Sequence, residues 1–145
     1  MKVFAQNRDA RNYKILEKFE AGVVLSGFEA KSIKNGLLNL NGSRVVIRQS
    51  NALLIGANIS PFQPQNTPSD FSPNRTKKIL LNKSEIKELL GKSTSGLTII
   101  PLKAYSKGVR IKIEIGVARS LKKFEKREKI KEKEIKRKLR EGFWE

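Results

Sequence analysis

The sequence predicts a mainly β protein, a small antiparallel barrel with two or three short helices and a basic C-terminal tail. Short runs rich in β-branched residues recur along residues 1–118, and glycine-containing turn signals separate them. That spacing is typical of a small closed or nearly closed antiparallel barrel. Residues 119–145 differ in composition, because they hold 12 basic and 6 acidic residues with few apolar side chains. We therefore expect a folded domain over residues 1–118 and a tail over residues 119–145.

Five runs are predicted to be strands, and turn residues bound each of them. The last run alternates best: Val109, Ile111, Ile113 and Ile115 are expected on one face, and Arg110, Lys112 and Glu114 on the other. That charged face fits either plain solvation or contact with RNA. The five predicted strands are Tyr13–Leu25, Ser43–Gln49, Ala52–Ile59, Leu97–Tyr105 and Val109–Val117.

Two short helices and one long loop interrupt the predicted strands. Phe28–Asn35 has helical apolar spacing and is followed by Gly36. Either Asn82 or Ser84 can cap a second helix over Glu85–Leu90, which Gly91 is expected to end. The stretch 60–74 holds four of the five prolines, so it is predicted to be a surface loop.

The charge indicates a polyanionic partner, and the lack of Cys and His excludes several kinds of catalytic and metal site. The chain has 31 Lys plus Arg against 14 Asp plus Glu, a formal charge of +17. Binding nucleic acid would neutralise that charge and release the condensed counterions. With no Cys and no His, disulfides, most zinc sites and His-dependent catalysis are excluded. We expect no enzyme, no metal, no cofactor and no phosphate-cradling loop. No apolar run is long enough for a signal peptide or a membrane span, so the protein is expected in the cytoplasm. We also expect it to be a monomer.

The tail has good helix-forming composition but a thin apolar stripe. Favourable four-residue charge pairs such as Glu125–Lys129 contribute only a few tenths of a kcal/mol, whereas ordering costs about 1–2 kcal/mol per residue. The tail is therefore expected to be disordered alone and to fold on a partner. The alternative is a terminal helix docked on the barrel and anchored by Phe143 and Trp144.

Three basic clusters are candidates for RNA contacts. Asn7, Arg8 and Arg11 precede the first predicted strand, and Arg75–Lys78 closes the proline-rich loop. In the tail, four cations surround Phe124, whose ring could stack on a nucleobase or pack on the barrel.

Many collinear motifs resemble the family of transfer-messenger RNA-binding proteins, called small protein B or SsrA-binding proteins. The resemblance covers nearly the whole chain. The matching stretches are residues 7–11, 19–25, 29–33 with Gly36, Asn39 and Leu40, and then 56–61, 75–81, 112–118 and 122–127.

The resemblance implies a barrel of the oligonucleotide-binding type that grips the transfer-RNA-like part of transfer-messenger RNA. It implies that the protein delivers this RNA to stalled ribosomes, so that incomplete proteins are tagged for degradation. Alanyl-tRNA synthetase and elongation factor Tu would be indirect partners through the RNA. The tail would become helical in the empty messenger channel, next to the decoding centre of the small subunit.

Carried onto this chain, the resemblance places RNA contacts at Glu20, Leu80 and Lys112. Lys112 would meet phosphate, whereas Glu20 would bond a base, a sugar or a neighbouring cation. All candidate RNA-binding residues are Asn7, Arg8, Arg11, Glu20, Lys31, Arg75, Lys77, Lys78, Leu80 and Lys112. The candidate ribosome contacts are Arg119, Lys122, Lys123, Phe124, Glu125, Lys126 and Arg127.

The chain departs from the family pattern at a few positions. Phe124 stands where Tyr or His is usual and has no polar tip, and Glu125 replaces Asp. Two other function classes stay open: a ribosomal protein with a permanently embedded tail, and an RNA-acting enzyme, which the lack of His disfavours.

Overall fold

The computed structural model describes residues 2–69 and 71–140, in which it has nine β-strands and three α-helices. The strands are β1 (Val3–Gln6), β2 (Tyr13–Val23), β3 (Leu38–Asn39), β4 (Arg44–Arg48), β5 (Asn51–Ile55), β6 (Asn58–Ile59), β7 (Lys77–Leu80), β8 (Thr98–Lys107) and β9 (Arg110–Ser120). The helices are α1 (Gly27–Lys34), α2 (Lys83–Thr94) and α3 (Lys123–Arg140). The mainly β class and its three helices confirm the predicted fold class.

Six strands form a closed antiparallel ring. The pairing runs β8, β4, β5, β7, β2, β9 and returns to β8, so the sheet has no free edge between these strands. β1 lies on the same edge of β8 as β4, and β3 pairs with β6 in a small second sheet. Closure removes the unpaired backbone groups of an open sheet.

Alternate residues of the strands fill the barrel interior. Leu54, Ile79, Ile113, Ile115 and Val117 are each at most 2 % exposed. The alternation predicted for the last strand is correct for Ile113 and Ile115, which bury the face opposite Lys112 and Glu114.

The prediction was wrong for Val109. It lies in the turn between β8 and β9, follows Gly108 at φ 61°, and is 90 % exposed. The strand begins only at Arg110. A turn residue has no place in the period-two pattern, so its apolar character there does not reflect burial.

Glycine also divides one predicted strand. Ala52–Ile59 is two strands, β5 and β6, separated at Gly56 with φ 86°. A Cβ at Gly56 would lie 3.2 Å from the carbonyl oxygen of Gly42, so the chain turns there in a conformation that favours glycine. β1 was not predicted, because it has only four residues and forms through distant pairing with β8.

Both predicted helices are present, and their N-termini are closed by capping boxes. Ser26 and Glu29 exchange side-chain and backbone hydrogen bonds at α1, and Asn82 and Glu85 do so at α2. Asn82 is therefore the cap of α2. Gly91 does not end this helix, which continues for three residues to Thr94. The proline-rich loop contains one short 3₁₀ turn, Pro64–Asn66, and no strand among its described residues.

The last strand extends past the predicted domain boundary at residue 118. Ser120 pairs with Tyr13 and Arg119 pairs with Lys14, so both residues belong to the barrel. α3 follows after two residues. Phe143, Trp144 and Glu145 lie outside the described residues, as do the side chains of Lys123, Phe124 and Lys126. That residues beyond the barrel order only on a partner stays a prediction.

Candidate nucleic-acid interface

Leu80 and Lys112 lie on either side of Gly22 in the middle strand of three. β2 runs between β7 and β9, and Gly22 pairs with Leu80 on one side and with Lys112 on the other. Gly22 has no side chain, and a Cβ there would lie only 3.3 Å from the Cβ of Leu80. The sheet surface is therefore low between Leu80 and Lys112.

An open groove of about 330 Å³ occupies this position. Leu80 is 51 % exposed and forms part of the apolar floor, together with the end of β2. Lys34, Arg110 and Lys112 contribute cationic groups to the lining. An apolar floor beside several cations can hold a sugar or base while ammonium and guanidinium groups contact phosphate. The full lining is Gly22, Val23, Leu25, Ala30, Lys34, Leu80, Val109, Arg110, Ile111 and Lys112.

Glu20 lies two residues before Gly22, and its carboxylate is held by neighbouring strands. It accepts hydrogen bonds from the hydroxyl of Tyr105 and, at 2.7 Å, from the Nζ of Lys107. The bond from Lys107 and then that from Tyr105 lower the pKa of Glu20. Burial and the bond to Glu20 raise the pKa of Tyr105. Glu20, Leu80 and Lys112 thus lie in one region of the surface. Glu20 pairs with the neighbouring cation Lys107, which is one of the roles expected for it.

Arg75, a predicted RNA contact, forms an ion pair with a buried carboxylate and keeps 43 % of its own side chain exposed. Its Nη2 and Nε lie 2.5 Å and 3.1 Å from the two carboxylate oxygens of Glu29, and Nη2 also donates to the carbonyl of Val24. The side chain of Glu29 is 3 % exposed. Burial would raise the pKa of Glu29, but the bonds from Arg75 and the Ser26 backbone outweigh it and lower that pKa. This ion pair joins the proline-rich loop to α1.

Lys77, in contrast to Arg75, is internal. It is 1 % exposed, and its Nζ donates to the carbonyl oxygens of Ala57 at 3.2 Å and Arg75 at 2.6 Å. Burial lowers the pKa of Lys77. Its neighbour Lys78 is exposed and lies beside Arg48. Within the predicted basic cluster, the side chains of Arg75 and Lys78 are exposed and that of Lys77 is not.

The N-terminal cluster is similarly divided. Asn7 is 5 % exposed; its Nδ2 donates to the carbonyl of Pro101 and its Oδ1 accepts from the backbone N–H of Asp9. The bond from Asp9 caps the short 3₁₀ turn Arg8–Asn12, and the bond to Pro101 ties it to β8. Arg8 and Arg11 are exposed, as is Lys31 on α1.

At the start of the tail, Glu125 pairs with Arg119, whereas the sequence spacing had suggested a pair with Lys129. Two hydrogen bonds, 3.0 Å and 2.8 Å long, join the guanidinium of Arg119 to the carboxylate of Glu125. The bond from Arg119 lowers the pKa of Glu125 to about 2. Lys129 instead donates to the carbonyl of Arg11 at 3.1 Å. Lys122 and Arg127 are exposed.

Several residues of this surface were missed by sequence reasoning. Tyr105 and Lys107 hold Glu20, Glu29 holds Arg75, and Lys34 lines the groove. Only Glu29 had a local signal, because Ser26-x-x-Glu29 is a capping box pattern. The others come together through long-range strand pairing, which has no local sequence mark.

Within residues 2–69 and 71–140, no three His, Cys, Asp or Glu residues are grouped so that they could hold a metal ion. None of the described helices is long and apolar enough to cross a membrane.

Comparison with known proteins gives consistent matches over nearly the full length. Residues 4–144 match the family model described as SmpB protein. An SsrA-binding protein of Sulfurihydrogenibium sp. is 44 % identical over 144 residues, covering 98 % of this chain and 94 % of the relative. One from Persephonella marina is 45 % identical over 145 residues, covering 99 % and 95 %. A chain solved in work on tmRNA-SmpB in the bacterial ribosome has a TM-score of 0.69 and 33 % identity, and the match covers 90 % of this chain and 95 % of that one.

Proposed function

This chain belongs to the SmpB protein family, and from that premise we propose that it binds the transfer-RNA-like part of tmRNA and delivers it to stalled ribosomes. Relatives of nearly equal length carry the description SsrA-binding protein, and a similar solved chain is described with tmRNA and the bacterial ribosome. The outcome of delivery would be tagging of the incomplete protein for degradation.

The observation that carries the proposal is the meeting of Leu80 and Lys112 across Gly22. The family resemblance is what suggests RNA contacts at these two positions, and strand pairing brings them to one groove. Lys112 supplies a cation to a phosphate, and Leu80 supplies an exposed apolar surface to a sugar or base. Glu20 has its carboxylate committed to Tyr105 and Lys107, so its role is to orient those two side chains beside the groove.

The exposed cations extend this surface. Arg8, Arg11, Lys31 and Lys78 are accessible and can contact phosphates around the groove. Arg75 pairs with Glu29 but keeps 43 % of its side chain exposed, so it can still meet a phosphate. Asn7 and Lys77 act one step away, because they are buried and their polar groups are bonded to other parts of the protein. They shape the RNA-binding surface without needing to touch RNA.

The tail has the second role, contact with the small ribosomal subunit. Residues 119–145 hold twelve basic side chains, which suits a segment surrounded by ribosomal RNA. We assign the decoding-centre contacts to residues 122–127, with Phe124 stacking there. Arg119 belongs to the barrel through β9, so it anchors the tail and reaches RNA only from the barrel surface.

The protein acts as a binding and delivery protein and carries out no catalysis of its own. It works as a monomer in the cytoplasm, where ribosomes are, and it meets alanyl-tRNA synthetase and elongation factor Tu only through the bound RNA. It needs no cofactor.

The test is the identity of the RNA that co-purifies with the protein from its own cells, followed by binding to an isolated transfer-RNA-like fragment. We expect tmRNA to be enriched and the fragment to bind the free protein tightly. A permanent ribosomal protein, which the basic tail would also suit, would instead co-purify with subunits in equal amounts and ignore the fragment. That result would overturn the proposal.

A further inference from the structure

A cationic groove lies where the tail helix meets the barrel. It has a volume of about 390 Å³ and lies between the 3₁₀ turn that precedes β2 and the first half of α3. We call it the junction groove, and its lining residues are Arg11, Asn12, Lys129, Ile130 and Lys133.

Polar contacts hold the two walls of the junction groove together. The backbone N–H of Leu121 donates to the carbonyl of Asn12 at 3.0 Å, and Arg119 pairs with Glu125 at the start of the helix. Farther along, the Nζ of Lys129 donates to the carbonyl of Arg11. Lys129 and Lys133 are four residues apart and therefore lie on one face of α3.

The junction groove brings together three cationic side chains that form no ion pair with the described carboxylates. Among residues 2–69 and 71–140, no carboxylate lies within 4.0 Å of a charged nitrogen of Arg11, Lys129 or Lys133. Glu125, which helical spacing would offer to Lys129, is bound to Arg119. Like charges held together on two packed elements repel, and an anion bound between them adds attractions that offset this repulsion.

We propose that the junction groove binds a phosphate group and that RNA backbone supplies this phosphate in the cell. The assignment of the source rests on the proposed function, whereas the site itself rests on the three cations. A guanidinium from the barrel and two ammonium groups from the tail can each donate to a different phosphate oxygen. The bound phosphate then holds α3 against the barrel, and its removal leaves repulsion that favours release of the helix.

Inorganic phosphate tests the site on the full chain without RNA. Amide signals are followed by NMR during a phosphate titration at constant ionic strength, balanced with chloride. We expect saturable shifts at residues 11–12 and 129–133. Arg11→Gln and Lys133→Gln should each remove the saturable shifts, and Lys87→Gln on the exposed face of α2 should leave them unchanged. Equal shifts in chloride alone, or unchanged shifts in both groove variants, would overturn the phosphate site.

A second arm identifies the source of the phosphate. The double variant Arg11→Gln, Lys133→Gln is compared with Lys87→Gln for binding to the tmRNA fragment and to ribosomes over a range of salt. One lost phosphate contact lowers the slope of log K against log salt by about 1. An unchanged slope for binding to both the tmRNA fragment and ribosomes would overturn RNA as the source of the phosphate. Because Lys112 lies outside the groove lining, its variant still reports the main RNA site and separates the two failures.

Discussion

Lys77 and Lys78 are consecutive residues of β7 that lie on opposite faces of the sheet. Lys77 points into the protein, is 1 % exposed, and donates to two backbone carbonyls. Lys78 is exposed on the outer face. In the sequence both belong to one basic cluster beside an apolar strand, yet period-two alternation gives them different environments and different tasks.

Changing each lysine to methionine should therefore affect a different property, stability for Lys77 and RNA binding for Lys78. Lys77→Met leaves the carbonyls of Ala57 and Arg75 without their donor and should cost about 1–3 kcal/mol of unfolding free energy. Lys78→Met should change stability by less than about 0.5 kcal/mol and should weaken binding of the RNA fragment. Urea unfolding and fragment binding measure both effects. Full stability with weakened RNA binding in Lys77→Met would show that Lys77 reaches the RNA.

Lys112→Ala tests the groove directly. If Lys112 contacts one phosphate, its removal should weaken fragment binding and lower the salt slope by about 1. The matched control is Lys87→Ala, because Lys87 is an exposed lysine on α2 and does not line the groove. An unchanged slope in Lys112→Ala would remove this residue from the phosphate contacts.

Two truncations separate the barrel from the tail. A chain ending at Lys122 keeps all of β9 and should bind the RNA fragment as the full chain does, while failing to support tagging on stalled ribosomes. A chain ending at Ala118 loses the pairing of Arg119 with Lys14 and of Ser120 with Tyr13, so it should unfold at lower urea. Tagging by the Lys122 truncation would refute the assigned division between barrel and tail.

Glu29 should make stability depend on acid pH. The pKa of Glu29 in the folded protein lies below its ordinary value of 4.5, so the unfolded chain binds more protons between these two values. Its contribution is complete above about pH 4.5 and is lost as pH falls through the folded pKa.

Glu29→Gln keeps the capping hydrogen bond and removes the ion pair with Arg75. We expect a loss of about 1–3 kcal/mol at pH 7 and a shallower fall of stability below pH 4.5 than in the parent chain. Glu85→Gln is the matched control, because Glu85 occupies the same capping position at α2, where it binds Asn82. Parallel pH profiles for Glu29→Gln and the parent would contradict the role of this ion pair.

Local pattern was sufficient for most of the fold. The alternation around Ile113 and Ile115 placed the core face of β9. Capping residues narrowed the start of α2 to Asn82 or Ser84, and the structure has Asn82 as the cap. Patterns failed where long-range pairing decides the outcome. β1 forms on β8 across about a hundred residues, and Ser120 is held in β9 by Tyr13.

The candidate site shows the same division. Family resemblance pointed to Glu20, Leu80 and Lys112, but the contacts of Glu20 with Tyr105 and Lys107 depend on strands far apart in sequence. Arg75 belongs to the basic cluster predicted from the sequence, but its partner Glu29 lies on a different element, α1. The sequence pattern therefore gave no sign of this ion pair.

By itself, the sequence determined the mainly β class, the excess of positive charge, the lack of His and Cys, and the family. These properties follow from residue types and short periods, which need no knowledge of distant neighbours. Only the tertiary structure decided which cations are free for RNA, because a side chain's access to solvent depends on what packs beside it. For Lys77 and Asn7 those neighbours lie on other elements, and their hydrogen bonds hold the side chains within the protein.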